Sequence, residues 1–66
     1  MEYEIIASDG AYTIGYIEGH PCEWEGNCSA PVEGAWNRKL EGAKFSCDFI
    51  DDFEVVDGRW EVVDEL

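Results

Sequence analysis

From Phe45 onward, apolar and polar positions alternate with the period of two that a β-strand imposes. Phe45, Cys47 and Phe49 alternate with Ser46 and Asp48, and the odd-numbered pattern resumes at Phe53 and Val55. Asp51-Asp52 interrupts it, either as a tight turn or as a bulge in one long bent strand. Asp57-Gly58 is a favoured two-residue hairpin turn. Pairing back from that turn sets Val55 opposite Trp60 and Phe53 opposite Val62 on an apolar side. The same register puts Glu54 across from Glu61, and Asp51 across from Asp64, on the outer side. Like charges directly across a strand pair are destabilising. Such a local conflict is expected where function, rather than stability, selects the residues.

A second turn signal, Asp9-Gly10, predicts another hairpin. A two-residue turn there pairs Ala7 with Tyr12, Ile5 with Ile14 and Tyr3 with Tyr16 on one face. Glu2, Glu4, Ile6, Thr13 and Gly15 take the other. Residues 19–28 hold two glycines and a proline and read as an irregular loop. Residues 29–42 carry the helical signal. Ser29 suits a helix cap and Pro31 a first turn. Val32, Ala35, Trp36 and Leu40 recur at helical spacing. Glu33 stands early, Arg38 and Lys39 late, and Gly42 is a natural stop. The expected fold is α+β: an antiparallel sheet of four to five strands with one helix on its apolar face.

Sixty-six residues predict one domain, residues 1–66, of marginal stability. A hydrophobic content of 45%, with 14% aromatics, argues against disorder. The formal net charge is -12. A compact chain of this length has a radius of gyration of roughly 11 Å, hence a diameter of about 28 Å. Duplex DNA carries about 16 charges over that length, a comparable density. Such a balance predicts attraction to basic protein surfaces, with no direct nucleic-acid contact and no membrane binding. The acidic opening Met1-Glu2-Tyr3-Glu4 has no long apolar run, which predicts no secretory signal. With three cysteines, an odd number, the expectation is a reducing cytoplasm. Asn27-Cys28-Ser29 then matches the glycosylation sequon by chance.

Residues 48–66 hold eight carboxylates and one basic residue, Arg59, interleaved with apolar strand positions. Carboxylates on one strand face recur at about 6.6–6.8 Å, with neighbouring strands about 4.8 Å away. A sheet can therefore display a rigid lattice of negative points where a phosphate backbone would lie. The expected partner-binding set is Glu2, Glu4, Asp48, Asp52, Glu54 and Glu61, with Asp51, Asp57, Asp64 and Glu65 at its edge. In length, charge and ordered acidic strands the chain resembles the small acidic inhibitors of bacteriophages, the anti-CRISPR and DNA-mimic proteins. That resemblance transfers no individual residue. It implies a cytoplasmic inhibitor, monomer or homodimer, that blocks a basic nucleic-acid-binding protein such as a CRISPR effector.

The remaining constellations carry less. His20, Cys22, Cys28 and Cys47 have the number and type for structural zinc, but their spacing matches no standard pattern. The main expectation is therefore no metal and no cofactor. Clustered acids around Asp48 to Glu54 lack the EF-hand loop spacing. Trp24, between Glu23 and Glu25, is either the lid of a small core or an interface anchor. One histidine beside a proline, with no nucleophile motif and no phosphate loop, predicts no enzyme. The alternative to inhibition is a protein-interaction module, zinc-stabilised or not, anchored by Trp24 and by Ile6 or Ile17, whose acids only confer solubility.

Overall fold

Asp57 and Gly58 both adopt positive φ, 53° and 73°, the backbone signature of a two-residue turn that matches strand twist. The strands it joins pair as the alternation predicts: Val55 faces Trp60, Phe53 faces Val62, and Glu54 faces Glu61. The computed structural model describes residues 1–63; the expected pairing of Asp51 with Asp64 lies outside them. Among the described residues there are seven strands: β1 (Tyr3–Ser8), β2 (Tyr12–Ile17), β3 (His20–Glu25), β4 (Trp36–Arg38), β5 (Lys44–Phe45), β6 (Phe53–Val56) and β7 (Arg59–Val62). They form a four-stranded sheet in the order β1-β2-β3-β4 and a three-stranded sheet in the order β5-β6-β7, all antiparallel.

The fold among the described residues is therefore all-β, which corrects the α+β expectation. Residues 29–42 form no helix. Two turns replace it, closed by Ala35 N–H to the Val32 carbonyl at 2.8 Å and by Ala43 N–H to the Leu40 carbonyl at 3.0 Å. Gly34 (φ 80°) and Gly42 (φ 87°) provide their left-handed corners. A mid-helix glycine costs about 1 kcal/mol, and a short helix needs its whole apolar stripe packed to offset such losses. Here only Trp36 is drawn inward, opposite Trp24 across β3 and β4, while Val32 and Leu40 stay 71% and 74% exposed.

Residues 19–28 also depart from expectation. Glu18 (φ 51°) and Gly19 (φ 80°) make a tight turn, and β3 pairs along all of β2. Glu-Gly is a weaker hairpin signal than Asp-Gly, and Pro21 argues against an interior strand. Near the C-terminal end the Asp51-Asp52 ambiguity resolves as a connection, because β5 and β6 run antiparallel with residues 46–52 between them.

The first hairpin pairs in a different register. Its turn spans four residues, with Ser8 opposite Thr13, and the Asp9 side chain accepts the Ala11 and Tyr12 N–H groups at 2.8 and 2.7 Å. Tyr3 pairs with Ile17 and Ile5 with Gly15, but Ala7 pairs with Ile14, leaving Ile6 as a bulge. That extra residue turns Ile5 to one face of the sheet and Ala7 to the other.

Two clusters result. On one face Ile14, Phe45, Val55 and Trp60 join the two sheets, with Ala7, Tyr16 and Phe53 around them. On the opposite face Ile17, Cys22 and Trp24 pack with Ile5 and Trp36. The chain after β3 covers that second face. Buried Thr13 donates to the Gly26 carbonyl at 2.6 Å and accepts from Cys28 N–H at 2.9 Å, while the Trp24 indole donates to the Ser29 carbonyl at 2.7 Å. The radius of gyration is 11.1 Å, as expected of a compact chain, but the body is flattened, 37 × 25 × 14 Å.

Candidate functional site

An open groove lies between β1 and the β6–β7 hairpin. Met1, Glu2, Tyr3, Glu4 and Ile6 line it from β1 and the residues just before it, Tyr16 beside Glu4 from β2 and Gly19 from the turn after β2, while Asp57 to Glu61 form the opposite wall. Four carboxylates, those of Glu2, Glu4, Asp57 and Glu61, meet the Arg59 guanidinium along this surface, with Met1 and its amino group also in the lining.

Bonds from elsewhere in the chain fix the wall. The Trp60 N–H donates to the Tyr16 hydroxyl at 2.8 Å, and the Trp60 indole donates to the Gly15 carbonyl at 2.9 Å. The Glu41 carboxylate accepts the N–H groups of Asp57 at 2.6 Å and Gly58 at 3.1 Å. Glu41 is thus an acid used within the fold, holding the turn on which Asp57 and Arg59 stand.

Of the expected binding set, the fold brings Glu2, Glu4, Asp57 and Glu61 together around the groove. Glu54 is half-buried beside Glu61 and has Lys44 on its other side, so the row across the small sheet reads Lys44, Glu54, Glu61. Asp48 and Asp51 are exposed and Asp52 half-buried on the connection between β5 and β6, away from the groove lining. Asp64 and Glu65 lie outside the described residues. The acids are therefore divided between a groove cluster and a separate connection, not spread as one lattice.

Trp24 is 2% exposed with its indole bonded internally, so it is core and not a surface anchor. Ile17 is buried too, whereas Ile6 is exposed and lines the groove. The four zinc candidates do not converge. Cys22 is buried with the Ile17–Trp24 cluster, His20 and Cys28 are exposed, and Cys47 follows Phe45, which serves the cluster on the opposite face. All three cysteines are free, and among the described residues no group of three or more His, Cys, Asp or Glu side chains could hold a metal ion. Burial pushes the Cys22 thiol above its ordinary pKa, whereas the Tyr12 and Ala11 N–H groups hold the Asp9 carboxyl below its own.

Tyr16 and Glu41 escaped sequence reasoning. Tyr16 counts as an apolar strand position by periodicity, and Glu41 reaches a turn sixteen residues away in sequence, for which no local pattern exists. No family model matches the chain, and neither a curated protein nor a solved structure matches it. Among the described residues no helix is long and apolar enough to cross a membrane.

Proposed function

We propose that this chain is an acidic protein-binding inhibitor that occupies a basic nucleic-acid-binding surface of a target protein, in the manner of phage anti-CRISPR or DNA-mimic proteins. The observation that carries this reading is the gathering of Glu2, Glu4, Asp57 and Glu61 around one groove on an ordered β framework, in a chain of net charge -12. Proteins that bind nucleic acid take hold of its backbone chiefly through Lys and Arg. Carboxylates held in place by strand pairing offer such residues fixed counter-charges without the ordering cost of a flexible acidic tail. The alternative, an apolar interaction module, has lost two of its three anchors to the core and keeps Ile6.

The test is capture from a bacterial lysate at low salt, comparing the natural chain with a Glu2→Lys, Glu4→Lys, Glu61→Lys variant. The expected result is a basic protein that elutes as salt rises, because exposed charges are screened within about 8 Å at physiological ionic strength. Added chain should then release nucleic acid from that protein in proportion to the amount bound. A captured protein that retains its nucleic acid at saturating chain, or that binds the variant equally, overturns the proposal.

A further inference from the structure

We infer that the outer edge of β1 takes up an extended basic segment of the partner as an added strand, with Lys or Arg at alternate positions. This deepens the proposed inhibitory role and rests on it. Among the described residues β1 is the end strand of its sheet, paired with β2 alone in the order β1-β2-β3-β4. Glu18 N–H donates to the Glu2 carbonyl at 2.9 Å, which extends the β1–β2 register by one pair. In an antiparallel ladder, hydrogen-bonded and non-hydrogen-bonded pairs alternate. Residues 2 and 4 therefore turn their backbone groups toward β2, and residues 3 and 5 turn theirs outward. Glu2, Tyr3 and Glu4 all line the groove, so it borders this stretch of β1. The Ile6 bulge ends this edge, leaving residues 2–5 as the stretch available for pairing.

Open strand edges invite further strands, and folded proteins commonly blunt them with Lys or Pro. This edge has neither; besides the Ile6 bulge its guards are two charges of one sign, Glu2 and Glu4, which turn away acidic strands but not basic ones. A second copy of the chain, also at -12, would be repelled, so charge selects a basic occupant. Side chains of an added strand alternate with the same period as those of β1. One set would lie beside Glu2 and Glu4, facing Asp57 and Glu61 across the groove, where Lys or Arg is favoured. The other set would lie beside Tyr3 and Ile5, where apolar side chains are favoured. Main-chain bonds would supply affinity and the alternating charges the selectivity, as in other strand-addition complexes.

The experiment uses the whole chain and two short, end-blocked peptides of equal composition, one alternating Lys and Val, the other with its Lys residues contiguous. Amide hydrogen exchange and calorimetry are read at low salt. The alternating peptide should bind about tenfold more tightly and should slow exchange at the Tyr3 and Ile5 amides. N-methylation of its inward amides should abolish that advantage. Tyr3→Pro, at the first strand position and with an outward N–H, should bind the peptide about tenfold more weakly while keeping its melting temperature. Equal binding of alternating, contiguous and methylated peptides overturns strand addition but leaves the general acidic-inhibitor reading standing. Binding of no basic peptide at low salt overturns strand addition, whereas failure of the lysate capture alone removes the inhibitor role and spares the edge.

Discussion

The hydroxyl of Tyr16 accepts the backbone N–H of Trp60 at 2.8 Å, across forty-four residues of sequence. Trp60 answers with its indole N–H, which donates to the Gly15 carbonyl next to Tyr16 at 2.9 Å. The N–H of Trp60 points away from β6 because Val55 pairs with it in a position where the ladder makes no bond. Tyr16 thus closes the outer edge of β7 and fastens the small sheet to the large one.

Tyr16→Phe removes that acceptor and strands a partly buried N–H. Its expected cost is about 1–3 kcal/mol, which for so small a domain lowers the melting temperature by about 4–8 °C per kcal/mol. Tyr12→Phe, at an exposed position, should change stability by about 0.5 kcal/mol at most. Thermal melts of the two variants make the comparison; equal melting temperatures would deny the bond its role.

Gly15→Ala should be far more damaging. A methyl group there would lie 1.9 Å from the Glu4 carbonyl oxygen, backbone that cannot rotate aside. Forcing β1 from β2 should cost about 3 kcal/mol or more, against a total of about 3–10 kcal/mol for a chain of this length. Gly10→Ala meets no atom within 4 Å but keeps a φ of 96° and should cost about 1–2 kcal/mol. Urea midpoints rank the two.

Glu61→Lys should raise stability while lowering partner capture. It replaces a like-charge pair with Glu54 by an opposite pair, a gain of about 0.2–1 kcal/mol. The gain should shrink in high salt. A variant that is both less stable and equally well captured would contradict the assignment of Glu61 to the binding surface.

Acid should loosen the first turn. The Asp9 carboxyl titrates below its ordinary value of 3.8 because Tyr12 and Ala11 N–H groups favour its charged form. Its contribution is fully present above the unfolded value and disappears as pH falls through the lower folded one. Asp9→Asn should therefore flatten the decline in urea midpoint on acidification, and an unchanged slope would show that other carboxylates dominate it.

The cysteines should react in the order Cys28, Cys47, Cys22, following exposed, half-buried and buried positions. Burial raises the Cys22 pKa, so its contribution to stability is full below the ordinary thiol value of 9.0 and declines as pH rises beyond it. Mass mapping after brief alkylation, with and without urea, reads the order directly; early labelling of Cys22 in the folded chain would contradict its burial.

The Asp57-Gly58 hairpin was legible down to its register, since the turn and the alternation on both sides agree. Elsewhere local signals competed with tertiary demands. Ser29, Pro31, Trp36 and Gly42 spell a helix locally, yet Trp36 is held by pairing with Trp24, a partner no window of sequence reveals. The bulge at Ile6 was hidden because an uninterrupted apolar run, Ile5-Ile6-Ala7, fits either register. Glu2, Glu4, Asp57 and Glu61 were recognisable as charges, but their convergence depends on Tyr16 and Glu41 holding β7 in place. Asp48, Asp51 and Asp52, equally acidic in sequence, follow a different path because β5 and β6 need a connection there.

The odd residue at Ile6 has one more effect. Because Ile5 feeds one hydrophobic cluster and Ala7 the other, the first strand passes through the sheet like a thread through cloth. Neither half-core can be peeled off without tugging on that thread. A body only 14 Å thick, stitched this way, is set to melt as one unit instead of layer by layer.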